Sequence, residues 1–293
     1  MARIALITGG ASGMGLAVAK VLAEKGWKCA LLDMNEKAGE EAAANVPKSE
    51  FVKVDVTSWD SLSSAFDTIF EKHGTIDFVF ANAGIVERDN FYEKLAPEKL
   101  KGRIPSRPNQ LTIDINLKAV IDTAYLAQHY FRLSPHHGST ASLVMTASVG
   151  GLYPAQFCPI YAASKSGVVN FMRSIAFPYH HYDGVRCYAI CPGTVRTNLL
   201  NSAEWSTFPE EYFTPIESIA STVAMLVEGG NMTDAKGKTV EKGKDYGLAV
   251  ELNGKNFYFR DQPEFCDETM ALVMKATSME NQIERLNGYK GQN

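Results

Sequence analysis

Residues 161–165 read YAASK, a phenol and an ammonium four positions apart with only small residues between them. On a helix this spacing puts both side chains on one face, a few ångströms apart. Two readings fit the pair. It is an ordinary surface contact, or it is a device in which the charge of Lys165 lowers the Tyr161 phenol pKa from its usual value of about 10. A phenol that serves as a base at neutral pH gives up its own proton first, which costs about 4 kcal/mol at ~1.36 kcal/mol per pKa unit. Nearby positive charge offsets much of that cost.

A second cluster lies near the N-terminus, where the apolar run RIALIT (3–8) passes through TGGASGMG (8–15) directly into a helical pattern. Gly9, Gly13 and Gly15 lack the G-x-G-x-x-G spacing of the general dinucleotide fingerprint. The physics still fits a nucleotide. Glycines where a strand turns into a helix let the backbone approach a pyrophosphate, and the helix N-terminus offers it unpaired N–H groups. A glycine-rich turn with no ligand is the alternative. Asp33 follows Gly15 by 18 residues, near the spacing of a carboxylate that binds the adenosine ribose hydroxyls. No Arg or Lys lies at 34–36 or within the glycine turn, so a 2′-phosphate meets like charge there and NAD is favoured over NADP. Capping the helix that starts near Glu36 is the other use for Asp33.

The elements that position these groups follow from periodicity. Apolar runs at 3–8, 28–33, 50–56, 76–82, 141–148 and 184–191 alternate with helix-length segments. The pattern argues for βαβ units and a parallel sheet covered on both faces. Two longer helices are expected at 110–133 and 160–177, the second ending where Pro178 cannot continue it. Residues 87–109 mix charges of both signs with three prolines and read as a long surface connection; residues 229–247 read as another loop. An Asn-Gly turn in GLAVELNGKNFYFRD then predicts a last strand followed by a hairpin arm. The fold class expected is α/β, a doubly wound Rossmann-type parallel sheet of about seven strands with helices on both faces. Residues 1–254 form the catalytic domain in this reading, with 255–293 a hairpin and helix appendage to it.

Composition bounds the rest. The 293 residues are 45% hydrophobic and 21% charged, with a formal charge of −4, which suits a globular protein without general affinity for nucleic acid or anionic membrane. Five scattered cysteines without C-x-x-C spacing suit a reducing compartment. His136-His137 and His180-His181 are adjacent pairs rather than i,i+4 ligands, so no metal is expected. No apolar run approaches the ~20 residues of a membrane span, and the N-terminal run reads as a strand rather than a signal peptide. A cytoplasmic location is the default expectation.

Taken together, TGGASGMG, Asp33, Asp55-Val56, Asn82-Ala83-Gly84, Asn116, Ser148, YAASK and CPG at 191–193 resemble the short-chain dehydrogenase/reductase family over about residues 3–230. Ser148 and Tyr161 stand 13 residues apart, as in that family. PIYAASKSGVVNFMRSIA with VRCYAICPGTVRT is especially similar to its NAD-dependent 15-hydroxyprostaglandin dehydrogenase group. The resemblance implies a site. Tyr161 is the general acid/base, Lys165 binds the nicotinamide ribose and holds Tyr161 near phenolate, and Ser148 hydrogen-bonds the reacting oxygen. Asn116 holds a water behind Lys165. Gly9, Ser12, Gly13, Met14 and Gly15 cradle the pyrophosphate, Asp55 and Val56 line the adenine, and Asn82, Ala83 and Gly84 flank the adenosine ribose. Pro192 and Gly193 meet the nicotinamide, and Thr197 its carboxamide. Each residue has a plainer use as well. Ser148 could bond its own backbone, Asn116 could face solvent, and Thr197 could cap the next segment. Cys191 reads better as a small buried hydrophobe than as a nucleophile.

The substrate loops expected are 149–159 and 194–214, which carry Leu152, Tyr153, Phe157, Leu199, Leu200, Trp205, Phe208, Tyr212 and Phe213. Such a lining suits an apolar secondary alcohol or ketone, although the last four could equally be core or subunit interface. The expected activity is hydride transfer with NAD. The alternatives are an NADPH-dependent biosynthetic ketoreductase and a non-catalytic nucleotide-sensing protein. The resemblance implies a homodimer or homotetramer.

Overall fold

The computed structural model describes residues 2–94 and 104–290. Part of the 87–109 connection, residues 95–103, lies outside the described residues. Each apolar run forms a strand: β1 (Ile4–Thr8), β2 (Lys28–Asp33), β3 (Ser49–Lys53), β4 (Phe78–Ala81), β5 (Ser142–Thr146) and β6 (Arg186–Pro192). These six pair in parallel in the order β3-β2-β1-β4-β5-β6, and β9 (Leu248–Asn253) pairs in parallel with β6. β10 (Asn256–Arg260) returns beside β9 through a turn containing Gly254, φ +57°, and makes an eighth, edge strand.

Alternate residues of each strand feed two separate cores, as the period of two requires. Leu6, Leu32, Val79 and Leu143 pack with α3 (Trp59–His73), α5 (Ala119–Leu133) and α6 (Pro159–Asp183) on one face. Ala5, Ile7, Leu31 and Phe80 pack with α1 (Gly13–Glu24), α2 (Glu36–Asn45) and α8 (Ile216–Glu228) on the other. Burial on both sides explains why the strands read as continuous apolar runs. The strand order reverses between β1 and β4, so the connections leaving their carboxyl ends turn to opposite faces, toward α1 and α5, and leave a crevice there.

Three expectations need correction. The helix containing Tyr161 does not stop at Pro178; α6 runs to Asp183 and ends at Gly184 in the left-handed conformation, φ 72°. Proline removes one helical hydrogen bond, but Ala176 and Tyr179 are buried on either side of it and the Tyr179 hydroxyl donates to the Ala124 carbonyl at 3.1 Å. Packing therefore carries the helix past the breaker. The 110–133 helix is not uniform, since α4 (Leu111–Ile113) leads into a π-helical turn, Asp114–Lys118, before α5. The 229–247 loop contains a two-stranded antiparallel ribbon, β7 (Met232–Thr233) with β8 (Thr239–Val240).

The short helix α7 (Ser202–Trp205) lies before α8, and α9 (Glu268–Ala276) and α10 (Met279–Lys290) end the chain. The chain divides into two compact units, Met1–Phe259 and Arg260–Asn293. No helix among the described residues is long and apolar enough to cross a membrane.

Candidate active site

The crevice at the ends of β1 and β4 is a cleft of about 550 Å³. Of the residues predicted for a nucleotide, Gly9, Ser12, Gly13, Met14, Asp33, Val56, Asn82, Ala83, Gly84, Tyr161, Lys165 and Thr197 line it. Gly9 and Gly13 adopt φ +65° and +52°, which lets the chain turn from β1 into α1 without the steric cost a side chain would add there. Gly15 has a different role, as a Cβ added to it would stand 2.3 Å from the Gly9 carbonyl oxygen and 2.9 Å from Asn82 Nδ2. It allows the first turn of α1 to close on the strand end. We expect Gly15→Ala to weaken dinucleotide binding more than about tenfold and to cost about 1–3 kcal/mol of stability, read by titration calorimetry and urea unfolding; unchanged binding sinks that role.

Asp33 sits on the rim of the cleft. One carboxylate oxygen accepts from Ala11 N at 3.2 Å and the other from Asn35 N at 3.0 Å. The cap of α2 is Asn35, whose side chain accepts from Ala38 N, so Asp33 is not used as the helix cap. Its carboxylate retains acceptor capacity toward the cleft.

At the opposite end stand the groups that could do chemistry. Ser148 Oγ accepts from Gly150 N at 3.1 Å. The predicted backbone bond is therefore real, and it leaves the hydroxyl proton free beside the Tyr161 ring, since a Cβ on Gly150 would lie 3.5 Å from that ring and 3.6 Å from Ser148 Oγ. Lys165 is buried and its Nζ donates to the Thr146 carbonyl at 2.8 Å. Thr146 in turn donates to Asn82 Oδ1, and Asn82 bonds Thr8 through its own N–H and its amide. One chain of hydrogen bonds thus links the lysine to the glycine turn.

Asn116 is fully buried, not solvent-facing. Its amide donates to the Ile85 carbonyl at 2.8 Å and to Ser164 Oγ at 3.2 Å, and its oxygen accepts from Ile85 N at 2.9 Å. A Cβ on Gly84 would touch both Asn116 Oδ1 and Lys165 Nζ, at 3.2 and 3.4 Å, so those groups converge behind the cleft. The π turn carries Asn116 into this position; such turns often occur at functional sites.

The electrostatics differ from the sequence expectation in one respect. Burial pushes the Tyr161 phenol above its ordinary value, and the Ser148 hydrogen bond is what opposes it. The Lys165 ammonium lies 5.7 Å from the Tyr161 ring centre and is committed to Thr146. Burial pushes Lys165 down to about 8. The hydroxyl of Ser148, more than the lysine charge, is thus the neighbour that favours phenolate in this arrangement.

Several predicted residues are not in the cleft wall. The Asp55 carboxylate accepts from the Thr57 N–H and hydroxyl at 2.9 and 2.7 Å, and Val54 lines the cleft beside Val56 in its place. Pro192 ends β6, and Gly193 donates its N–H to the Leu252 carbonyl at 2.8 Å. Thr197 lines the cleft while its hydroxyl accepts from Leu199 N at 3.2 Å. Cys191 is buried as expected. Sequence reasoning missed Thr146, Ile85, Val86, Arg88 and Ile115, all cleft-lining. Thr146 alone carried a signal, as a polar residue closing an apolar strand run.

The two substrate loops divide. Leu199 lines the cleft. Trp205 packs its ring 5.8 Å from Phe208 and 5.7 Å from Phe213 and donates its indole N–H to the Thr197 carbonyl at 2.8 Å, so these aromatics form a core for their own loop. Phe157 is 98% exposed. A second cavity of about 900 Å³ shares Arg88, Thr197 and Asn198 with the first.

The family description "short chain dehydrogenase" matches residues 3–206. The chain is 50% identical to a short-chain dehydrogenase/reductase, prx7, of Penicillium rubens, over 92% of this chain and 98% of that one. It is 35% identical to human 15-hydroxyprostaglandin dehydrogenase [NAD(+)], over 69% of this chain and 71% of that one. Among solved structures, levodione reductase superposes with a TM-score of 0.69 at 27% identity, over 86% of this chain and 96% of that one. With Ser148, Tyr161 and Lys165 grouped at one end of a glycine-floored cleft, these likenesses place the chain in the short-chain dehydrogenase/reductase family.

Proposed function

We propose that the protein is an NAD-dependent oxidoreductase acting between an apolar secondary alcohol and its ketone. The observation that carries this reading is the placement of both ends of the cleft, with Tyr161, Ser148 and Lys165 at one and the Asp33 carboxylate at the other. The glycine turn fits a pyrophosphate, because Gly15 removes the Cβ that would block its close-packed floor and α1 points its N-terminus at it. Asp33 would hold the adenosine ribose hydroxyls, Lys165 the nicotinamide ribose, and Thr197 the carboxamide. NAD, when bound, supplies the hydride acceptor.

The chain's own residues handle the proton. Tyr161 accepts it from the substrate hydroxyl in oxidation, or returns it in reduction. Ser148 donates a hydrogen bond to the same oxygen and steadies the charge developing there. Lys165 and Asn116, converging at Gly84, offer the proton a route away from the phenol. The apolar Leu199, Ile85 and Val86 exclude water and favour an apolar substrate. Assembly into a dimer or tetramer belongs to this reading, and Ile121, Tyr125 and Leu133 offer exposed apolar surface on α5; light scattering reads the assembly state directly.

The test is absorbance at 340 nm with NAD or NADP against a panel of secondary alcohols. NAD is preferred by the wild type, and Asp33→Asn, which removes the like charge, raises kcat/KM with NADP relative to NAD by about tenfold or more, about 1.4 kcal/mol. An equal preference in wild type and variant rules out Asp33 as the selector.

A further inference from the structure

The catalytic helix begins without a cap of its own. Cys158 at the N-cap makes no side-chain cap hydrogen bond, and Pro159 at the first position has no N–H. The N–H of Tyr161, at the third position, instead donates to Glu87 Oε2 at 2.5 Å, from 74 residues away in the chain. The other oxygen of that carboxylate, Oε1, is buried with no hydrogen-bond partner among the described residues. A bare buried carboxylate oxygen costs stability, so the contact is explained better by what it does for Tyr161 than by what it does for the fold.

Glu87 also sits in a segment tied on three sides. Ile85 is held at both its N–H and carbonyl by Asn116. Arg88 donates to Glu204 at 2.7 Å and to the Leu199 carbonyl at 2.9 Å, joining the same segment to the substrate loop. Residues 85–88 therefore add a further tie between the π turn and the first turn of α6, which Asn116 and Ser164 already join, and connect both to the 197–213 loop.

We propose that Glu87 is a positioning residue for the reaction: by capping the Tyr161 N–H it fixes the first turn of α6 and thereby the phenol against Ser148. The proposal rests on the reading of Tyr161 as the acid/base. It requires only a hydrogen-bond acceptor at Glu87, since the bond is to a backbone amide. Without it the first turn frays, and displacement of a catalytic group by about 1 Å costs on the order of 10²-fold in rate.

The test uses the full chain with NAD and three probe alcohols, 1-tetralol, 2-octanol and cyclohexanol. Glu87→Ala lowers kcat, counted per NADH-binding site so that unfolded chain is left out of the denominator, by about 10- to 100-fold with KM for NAD within about threefold of wild type. Glu87→Gln, which keeps the shape and an acceptor oxygen, retains kcat within about threefold. A second readout is independent of turnover. In protein labelled with ¹⁵N only at its 12 tyrosines, the Tyr161 amide signal is the one missing from Tyr161→Phe. That proton lies downfield and exchanges slowly in wild type, stays protected in Glu87→Gln and exchanges at least about tenfold faster in Glu87→Ala. A kcat for Glu87→Ala equal to wild type, or a Glu87→Gln as impaired as Glu87→Ala, overturns the proposal alone. A wild type that makes no NADH from any probe ends the reading beneath it, and the proposal with it.

Discussion

Tyr161→Phe lowers kcat by on the order of 10² to 10⁴, the share that a positioned proton donor or acceptor supplies, while NADH affinity stays within about threefold. The phenyl ring keeps the buried packing of Tyr161, and Lys165 keeps its bond to Thr146, so the nucleotide floor is untouched. Only the hydroxyl, whose ionisation Ser148 favours, is gone. Burial holds the phenol above its ordinary pKa, which gives the reaction a pH signature. The base form of Tyr161 is scarce at neutral pH, so oxidation accelerates as pH rises toward the phenol's ionisation, and the variant loses that rise. Stopped-flow or steady-state absorbance from pH 6 to 10 checks both parts. An unchanged kcat in Tyr161→Phe, or the same rise with pH, sinks the assignment of Tyr161.

Lys165→Met abolishes most turnover, by about 10²-fold or more, and at the same time changes the pH dependence of stability. Lys165 is 3% exposed and its pKa is pushed from 10.5 to about 8 by burial. The folded chain therefore binds this proton less tightly than the unfolded chain. At ~1.36 kcal/mol per unit, carrying the buried ammonium costs on the order of 3 kcal/mol, fully below pH 8. The cost fades between about pH 8 and 10.5, as the folded chain has by then released the proton and the unfolded chain follows. Methionine escapes it, although the Thr146 carbonyl loses its donor, which returns about 1–3 kcal/mol at every pH. The difference in unfolding free energy between Lys165→Met and wild type thus moves in favour of wild type by about 3 kcal/mol from pH 7 to 10.5. Urea unfolding at those two pH values measures it, and a difference that stays flat shows that the lysine is not buried as a cation. A site that keeps such a group at a cost to the fold is one arranged for chemistry.

The sequence alone determined the alternation of strand and helix, since strands buried on both faces must be continuously apolar and the helices between them must show one apolar side. It determined too which residues gather at the crevice, because Gly9 to Gly15 and Asp33 follow strand ends, and strand ends of a parallel sheet share one edge. Ser148, Tyr161 and Lys165 were legible through type and spacing within a resemblance to a family. What it could not determine depends on contacts distant in the chain. Pro178 reads as a stop because local rules see its missing N–H, whereas the burial of Ala176 and Tyr179 that overrides it comes from distant parts of the chain, the Tyr179 hydroxyl bonding Ala124 of α5. Asp55 reads as a nucleotide contact, and only the fold shows one oxygen of its carboxylate accepting from Thr57 while Val54 and Val56 line the cleft. The π turn that buries Asn116, and the carboxylate of Glu87 on the Tyr161 amide, join residues 31 and 74 positions apart. No local pattern encodes such a pairing; the tertiary structure decides it, because the cost of burying a polar group is settled only by the partner that folding brings to it.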